Sequence, residues 1–355
     1  MSAPRHSTGG RAYLDWNATA PLREEARAAM VAAMDVLGNP SSVHAEGRAA
    51  KALLERARAD LAEALGAAGA DIVFTSGATE AAALALAGRG LRCAGIEHDA
   101  VRAWAEESLQ ADGEGRVRVD EPGRSTLQLA NSETGVVQDL PEGLAVVDAT
   151  QAFGKLPLAF NWLGAEMALV SAHKLGGPKG VGALVLRQGL EIEARIRGGG
   201  QEMGRRSGTE NLIGIAGFAA AARAAVRDIE AGVWERVAKL RDLLEEGLRA
   251  AAPEAVIAGG GARRLPNTTC IVVPGWKGET QVMQMDLAGF AVSAGSACSS
   301  GKVRASRVLR AMGFDETASA SAIRLSLGPA TTEEEILRFV ESWGEAHGKF
   351  LAKAA

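Results

Sequence analysis

Between Asp71 and Leu186 the sequence alternates short apolar runs with longer amphipathic segments, and this alternation restricts the fold more than any other feature. Short apolar runs predict strands, and segments with apolar residues three and four positions apart predict helices. A chain that alternates strands and helices in this way forms a mainly parallel sheet with helices on both faces. Seven runs are predicted as strands: residues 71–75, 91–96, 117–120, 126–130, 144–148, 167–171 and 181–186.

The remaining segments predict helices and a second, smaller domain. Two helices precede the first strand, and two long helices follow the last strand. Beyond Glu230 the composition changes, and short strands with a closing helix predict a smaller α+β domain. The expected large domain is 13–230, and the small domain joins 1–12 to 231–355. Helices are predicted at residues 23–37, 45–65, 78–87, 100–110, 211–228, 234–251 and 332–346, and short strands at 267–273, 291–293 and 323–326.

Composition excludes several classes of protein. The chain has 355 residues, of which 47% are apolar and 23% charged, as in ordinary globular proteins. A net charge of −4 without a basic block argues against nucleic acid as the main ligand. No apolar run is long enough to span a bilayer, and the first residues lack the apolar core of a secretory signal. We therefore expect a cytoplasmic protein. The three cysteines have no CxxC spacing, so neither disulfides nor a metal site are predicted.

A lysine stands where the strand at 167–171 ends. Ser171 and His173 precede this residue, Lys174, and a glycine-rich turn follows it. Ligands of such sheets lie beyond the carboxyl ends of the strands. Burial lowers the pKa of a lysine, and the neutral amine is a nucleophile towards aldehydes. The alternative is a lysine whose amine simply reaches the surface.

Other polar residues stand at the ends of neighbouring predicted strands. The turn from Ser76 to Thr79 opens a helix and is either an anion-binding cradle or a plain N-cap. Asp148 is either a turn residue or the partner of a buried cationic nitrogen. His98 is either a residue at a helix N-terminus or an aromatic ring that covers a flat ligand.

The segment Ser293–Gly301 is rich in serine, glycine and alanine and contains Cys298. We expect such a segment to be mobile, which fits poorly with a cysteine that serves as a small buried apolar residue. Cys93 and Cys270 lie in strand-like apolar runs, so we expect both to be buried and protonated. Lys302 and Arg304 follow Cys298 and favour its thiolate form.

An amine, a carboxylate, an aromatic base and an anion cradle together match the needs of pyridoxal 5′-phosphate (PLP). On these residues and their order, the sequence resembles the cysteine desulfurases of the NifS/IscS type, in the class V aminotransferase group of fold-type I PLP enzymes. The resemblance implies the fold of that group, with a mainly parallel seven-stranded sheet flanked by helices. The matching motifs span nearly the whole chain and lie at residues 13–15, 17–19, 38–44, 75–80, 97–98, 133–139, 147–151, 171–180, 198–209, 293–300 and 323–328.

The resemblance also implies residue roles. Lys174 would bind the aldehyde of PLP, Asp148 would keep its pyridinium nitrogen protonated, and His98 would stack on its ring. Arg324, with Asn17, would bind the carboxylate of the substrate. Thr79, Ser171 and His173 would bind the phosphate of PLP. Thr209 would contact the phosphate in the site of the neighbouring subunit. The full set of implied cofactor-binding residues is Ala78, Thr79, His98, Asn131, Ser132, Asp148, Gln151, Ser171, His173, Lys174 and Thr209.

The implied reaction converts L-cysteine to L-alanine. Cys298 matches the cysteine that attacks the substrate sulfur and becomes a persulfide. The implied partners are a second copy of the chain, in a homodimer, and a sulfur-acceptor protein, either an iron–sulfur scaffold or a tRNA-thiolation protein. The alternatives are another class V reaction, such as transamination or selenocysteine cleavage, and a PLP-binding scaffold with little turnover.

The sequence departs from the family pattern at several places: Ser132, Met203, Ala305, where the family often has proline, and the short segments between His98 and Asp148. Ser132 stands where the family has an asparagine that contacts the oxygen of the cofactor ring, so water or Asn131 would have to replace that contact. Met203 stands where the family has an arginine in the loop after the three glycines. The first difference bears on cofactor contacts, and the second bears on partner choice and rate.

Overall fold

The computed structural model of the protein describes residues 10–295 and 305–354. Within these ranges we number helices and strands in chain order. The helices are α1 (Glu24–Met34), α2 (Ala45–Ala64), α3 (Ala78–Leu86), α4 (Asp99–Arg102), α5 (Leu212–Glu230), α6 (Val233–Ala251), α7 (Gly278–Leu287), α8 (Arg307–Ala311), α9 (Glu316–Ser319) and α10 (Glu333–Ala354). The strands are β1 (Ala12–Tyr13), β2 (Asp71–Thr75), β3 (Arg92–Ala94), β4 (Glu106–Leu109), β5 (Thr126–Gln128), β6 (Val146–Asp148), β7 (Met167–Ser171), β8 (Gly182–Leu186), β9 (Val256–Ile257), β10 (Thr268–Val272), β11 (Phe290–Ala291), β12 (Ser293–Ala294) and β13 (Ala322–Ser326).

The main sheet has five strands in the order β2-β8-β7-β6-β5. Strand β8 is antiparallel to both of its neighbours, so β2, β5, β6 and β7 all run in the same direction. A parallel bridge between Arg92 and Ser125 joins the parallel pair β3-β4 to β5. The prediction of a mainly parallel sheet is confirmed, but in the described residues the main sheet has five strands rather than seven, and β3 and β4 form a separate pair joined to it by one bridge.

Strands β2 and β7 divide their apolar side chains between the two faces of the sheet. Ile72 and Phe74 belong to the core cluster that contains residues of α2 and α5, whereas Val73 belongs to the cluster that contains α3. In β7, Ala168 and Leu169 alternate between the same two clusters. This period of two, within runs that are apolar throughout, is typical of strands buried on both faces.

Helices α1, α2 and α5 pack together on one face of the sheet. Helix α2 begins at His44, whose ring accepts a hydrogen bond from the Gly47 N–H at 3.3 Å. The buried positions of α2 then follow at intervals of three and four residues, which is the helical period. These buried positions are Gly47, Ala50, Leu54, Ala57 and Leu61.

Two predicted elements are wrong. The helix predicted at 100–110 ends at Arg102, and Glu106–Leu109 forms β4 instead. Pairing with β3 satisfies backbone groups along an edge that the five-stranded sheet does not cover, and this outweighs the local helix propensity. The strand predicted at 117–120 is reduced to a single bridge between Ala111 and Val117. The Val117 N–H donates to the side chain of Gln138 at 2.9 Å rather than to a strand.

The C-terminal part of the chain has its own core. Strands β9, β10, β12 and β13 form a four-stranded sheet, against which α6, α7 and α10 contribute buried residues. Ala12 and Leu14 belong to this second core, and β1 pairs with β11. We propose that the N-terminal residues up to β1 and the residues after Glu230 form the small domain. None of the helices in the two described ranges is long and apolar enough to cross a membrane.

The topology brings several chain segments together at one edge of the main sheet. Strands β2, β5, β6 and β7 all end there, with Gln128 paired to Asp148 and Asp148 paired to Leu169. The N-terminal segment reaches the four-stranded sheet, where Asp15 bridges Ser326 at the end of β13. Residues from the main sheet, the four-stranded sheet and the N-terminal segment therefore meet at this edge.

Candidate active site

A cavity of about 550 Å³ lies at this edge of the sheet. It combines eleven of the residues that the sequence singled out as catalytic, cofactor-binding or substrate-binding. The cavity lining includes Asn17, Ala78, Thr79, His98, Ser132, Asp148, Gln151, Ser171, His173, Lys174 and Arg324.

Lys174 lies just beyond β7 and is half-buried. Its Nζ donates to the backbone carbonyls of Asn17 at 2.8 Å and Ala18 at 2.9 Å. The amine therefore points into the protein and donates to neutral acceptors, and the prediction that it simply reaches the surface is wrong.

Asp148 and His98 have both a local role and a place in the cavity wall. The Asp148 carboxylate accepts a hydrogen bond from the Thr150 N–H at 2.9 Å, which makes it a turn residue at the end of β6. The His98 ring accepts from the Ala100 N–H at 3.1 Å and caps α4. With Nδ1 accepting, the neutral ring carries its proton on Nε2.

The N-terminus of α3 meets the cavity without a side-chain cap. Gly77 is the N-cap residue, with a φ of 157°, and it has no side chain that could provide a capping oxygen. The first N–H groups of a helix have no acceptor within the helix, and the helix dipole makes this end positive. Gly77 is thus an N-cap without a capping side chain, and the Ser76 N–H donates to the Glu80 carboxylate at 2.8 Å. Gly182, at the start of β8, allows this close approach, because a Cβ there would lie 2.7 Å from the Gly77 Cα.

His173 lines the same cavity as the start of α3. Its Nδ1 lies 3.3 Å from the Thr19 hydroxyl, and the side chain is half-buried. Burial, together with the positive charges of Lys174 and Lys179, lowers the pKa of His173 to about 4. The ring is therefore neutral at physiological pH and offers one N–H donor.

Arg324 lies on β13 of the four-stranded sheet, which provides a second wall of the cavity, the first being formed at the strand ends of the main sheet. Its Nη2 lies 2.6 Å from Oδ1 of Asp15, and its Nη1 donates to the Ser132 carbonyl at 3.2 Å. Asp15 is itself held by the Ser293 hydroxyl at 2.8 Å. The Nε of Arg324 is buried and has no hydrogen-bond partner among the described residues. Since an unpaired buried donor is costly, this atom is suited to an anionic ligand such as a carboxylate.

Asn17 connects the two walls. Its Nδ2 donates to the Ser132 carbonyl at 3.2 Å and to the Thr268 hydroxyl at 2.8 Å. Its backbone carbonyl accepts from Gln151 Nε2 at 3.0 Å as well as from Lys174. Ser132, where the family has asparagine, thus contributes its backbone oxygen to both proposed substrate-binding residues.

Three predicted residues do not line the described cavity. Asn131 is buried, and its amide bonds to nearby groups, donating to the Ile96 carbonyl and accepting from Glu133 and Thr134. Its role here is to shape the turn that presents Ser132. Thr209 is exposed and lies outside the cavity lining.

The third residue, Cys298, falls outside the described residues, as do Lys302 and Arg304. The predictions for the other two cysteines are confirmed, because Cys93 and Cys270 are both buried and free. Burial, with nearby carboxylates, raises the pKa of each thiol to about 12.

The sequence reasoning missed three residues of the site. Asp15 was quoted only as part of a motif, although it is the ion-pair partner of Arg324. Glu133 is half-buried in the cavity wall, where Ser306 donates to it at 2.5 Å, and burial raises its pKa to about 7. Lys155 is buried behind the cavity with two amide oxygens as partners. The sequence could have indicated Lys155, because this lysine stands four residues after Gln151 in an otherwise apolar run.

Comparison with known proteins identifies the family. The aminotransferase class-V family model matches residues 12–106 and 122–339. A cysteine desulfurase of Cereibacter sphaeroides is 40% identical over 93% of this chain and 94% of its own length. A cysteine desulfurase IscS of Dictyoglomus turgidum is 34% identical over 91% of each chain. The X-ray structure of a NifS-like protein from Rickettsia africae superposes with a TM-score of 0.87 at 32% identity, covering 95% of this chain and 99% of the other. The chain therefore belongs to the class V aminotransferase family and, within it, to the cysteine desulfurases of the NifS/IscS type.

Proposed function

We propose that this cysteine desulfurase binds PLP through Lys174, converts L-cysteine to L-alanine and retains the sulfur on Cys298. The observation that carries the proposal is the cavity itself, in which the Lys174 amine and the Asp148 carboxylate lie on one wall and the Arg324 guanidinium on another. An amine, an acidic partner for a ring nitrogen and a carboxylate-binding group are what a PLP enzyme acting on an amino acid requires.

The donor set of the cavity fits PLP. The uncapped N-terminus of α3, with Thr79, Ser171 and His173, supplies donors for a phosphate. Asp148 would hold the proton of the pyridine nitrogen, and Ala78, Ser132 and Gln151 would complete the cofactor-binding wall. When bound, PLP supplies an electron sink for the bonds of the substrate that are broken.

Arg324 and Asn17 would orient the substrate. The Nε of Arg324 would take part in binding the carboxylate of L-cysteine, while Asp15 holds the guanidinium in place. Asn17 shares the Ser132 carbonyl with Arg324, so a shift of either residue affects the other. His98 would move protons, since its neutral form carries the proton on Nε2.

Cys298 would accept the sulfur. In this step the C–S bond of the substrate breaks and an S–S bond forms to the Cys298 sulfur. The carbon that loses sulfur gains a proton, and the products are L-alanine and a persulfide on Cys298. The thiolate form is required, because it is the nucleophile. The persulfide would pass to a sulfur-acceptor protein, either an iron–sulfur scaffold or a tRNA-thiolation protein.

We also propose that the chain works as a homodimer in the cytoplasm. Thr209 is exposed and outside the cavity, which fits a residue that reaches the phosphate of the other subunit. Several large apolar side chains are exposed for a second copy to cover. These exposed residues include Val31, Met34, Leu37, Val43 and Met203. Two reduced, buried cysteines fit a reducing compartment.

Mass spectrometry after brief treatment with L-cysteine tests the sulfur acceptor. One additional sulfur atom is expected on the Cys298 peptide, together with L-alanine in solution. The Cys298→Ala variant should bind PLP normally but release almost no sulfur, whereas Cys93→Ala and Cys270→Ala should keep the activity. An additional sulfur on Cys93 or Cys270, or full activity in Cys298→Ala, would contradict the mechanism. Formation of a keto acid instead of alanine would indicate transamination.

Mixing of two inactive variants tests the homodimer. Lys174→Ala lacks the covalent link, and Thr209→Ala lacks the contact to the other subunit. A mixed dimer would contain one site without either change, so activity should return when the two chains are unfolded and refolded together. A monomer by light scattering at working concentration would contradict the proposal.

A further inference from the structure

Lys155 is a buried amine that the reaction scheme above does not use. It follows Gln151 by four residues, and only 3% of its surface is exposed. Its Nζ donates to Gln151 Oε1 at 2.7 Å and to Asn17 Oδ1 at 2.8 Å. Both acceptors are neutral amide oxygens, so neither of these hydrogen bonds involves a carboxylate.

These two hydrogen bonds fix the orientation of two amide groups in the cavity wall. Because the oxygen of Gln151 faces Lys155, its Nε2 faces the Asn17 carbonyl and donates to it at 3.0 Å. Asn17 Oδ1 also accepts from Asn267 at 3.1 Å, so its Nδ2 is left to donate to Ser132 and Thr268. With a methyl group in place of the Lys155 amine, the Gln151 oxygen would lose its hydrogen-bond donor, whereas Asn17 would still be held by Asn267 and Thr268.

The fixed amides act on the catalytic lysine. The Asn17 carbonyl that accepts from Gln151 also accepts from Lys174 Nζ at 2.8 Å. We infer that Lys155 is a positioning residue, which orients Gln151 and Asn17 and thereby holds the Asn17 carbonyl against the amine of Lys174. Lys155 itself touches neither substrate nor cofactor in this assignment. The inference rests on the proposed role of Lys174 in binding PLP.

The charge state of Lys155 agrees with this role. Burial lowers the pKa of Lys155 well below its usual value, and the positive charges of Lys174 and Arg324 lower it further. A neutral amine has two N–H groups, which matches the two acceptors. The direction of the pKa shift therefore agrees with a network whose two acceptors are neutral amide oxygens.

The test is the Lys155→Met variant, whose side chain is similar in length but cannot donate a hydrogen bond. The measured quantity is the pH midpoint at which the absorbance of bound PLP changes, because it reports the proton on the Lys174 link without turnover. In the variant the Gln151 oxygen is free to turn towards that link and favour its protonated form. The midpoint should therefore rise by at least about half a pH unit. Lys51→Met, at an exposed lysine of α2, should leave it unchanged.

A double-mutant cycle separates positioning from a general loss of structure. If Lys155 acts through Gln151, the midpoint shifts of Lys155→Met and Gln151→Met should not add in the double variant. Lys155→Gln, which keeps an N–H donor, should shift the midpoint less than Lys155→Met. The inference is overturned if the folded Lys155→Met protein has the wild-type midpoint, or if the two shifts add. It is also overturned if neither Lys155 variant folds, because the amine then serves the fold itself.

Failure of the proposed function would look different. A wild-type protein that takes up no PLP would overturn the role of Lys174 and this inference with it. A wild-type protein with a normal PLP spectrum, combined with an unchanged Lys155→Met midpoint, would overturn only the role of Lys155.

Discussion

The lysine amines and the arginine guanidinium at the cavity have different kinds of hydrogen-bond partner. On one wall, which we call the lysine side, Lys155 and Lys174 donate to the neutral oxygens of Asn17, Ala18 and Gln151. On the other wall, the arginine side, Arg324 is paired with the carboxylate of Asp15.

The difference suits the chemistry proposed for each wall. On the lysine side, hydrogen bonds to the carbonyls of Asn17 and Ala18 hold the Lys174 amine in place for its proposed reaction with an aldehyde. A carboxylate partner instead stabilises a permanent charge, which suits Arg324 as a binding group that never changes protonation state. Asn17 belongs to both walls, because its carbonyl accepts from Lys174 and its Nδ2 shares the Ser132 carbonyl with Arg324.

The largest expected effect is on the lysine side. Lys174→Arg keeps a positive charge but removes the amine that binds an aldehyde, because arginine is not deprotonated in proteins. We expect kcat for alanine formation to fall by about 10⁴-fold or more. Borohydride reduction should attach PLP to the Lys174 peptide of the wild type and to no peptide of the variant. If Lys174→Arg kept more than about 1% of the wild-type activity, the Lys174 amine would not be the required nucleophile, and the proposed difference between the lysine side and the arginine side would be wrong.

The second effect is on the arginine side. A lysine at position 324 would keep the charge but could not form a bidentate contact with a carboxylate. The change Arg324→Lys should therefore raise KM for L-cysteine by about 100-fold, or about 2.7 kcal/mol. The spectrum of bound PLP should stay unchanged, and Arg56→Lys on the exposed face of α2 is the matched control. A loss of kcat with normal KM would place Arg324 in the chemical step instead.

The third effect concerns the partner of Arg324. Asp15→Asn leaves a largely buried guanidinium without its counter-charge, and we expect the free energy of unfolding of the PLP-free protein to fall by about 2 kcal/mol. Urea unfolding measures this change, with Asp35→Asn at an exposed position as the control. If stability were unchanged, the ion pair with Asp15 would not be what holds Arg324 in place.

The smallest effect is a pH dependence on the lysine side. The pKa of His173 falls from 6.5 in the unfolded chain to about 4 in the fold, so the unfolded chain binds more protons between these values. The stability that depends on a neutral His173 is therefore complete above pH 6.5 and lost as the pH falls towards 4. Between about pH 7.5 and 4.5, the PLP-free wild type should lose about 1–2 kcal/mol more stability than His173→Gln. Parallel pH profiles for the two proteins would contradict the lowered pKa.

Much of the architecture could be read from the sequence. Strands such as β2 and β7 are buried on both faces, so they consist mainly of apolar residues and can be recognised in the sequence. Their predicted bounds are those of the structure. Lys174, Asp148 and the Ser76–Thr79 turn stand at the ends of such strands, and the topology of a parallel sheet brings strand ends together. The cavity-lining residues at these strand ends were therefore predictable from the topology, whereas Asn17, Ser132, Gln151 and Arg324 were assigned to the site only by the resemblance to the family.

The tertiary structure alone decided how these groups are paired. Residues 106–109 form a strand and not a helix because the open edge of β3 needs hydrogen-bond partners, which no local pattern reveals. Asp15 reaches Arg324 across 309 positions, and Lys155 reaches Asn17 across 138 positions. Asn131 was predicted to bind the cofactor, but its amide is used by the turn around it. The sequence by itself determined which residue types meet at the sheet edge, because strand ends converge. The tertiary structure decided which hydrogen bonds they form, since those depend on contacts between segments far apart in the chain.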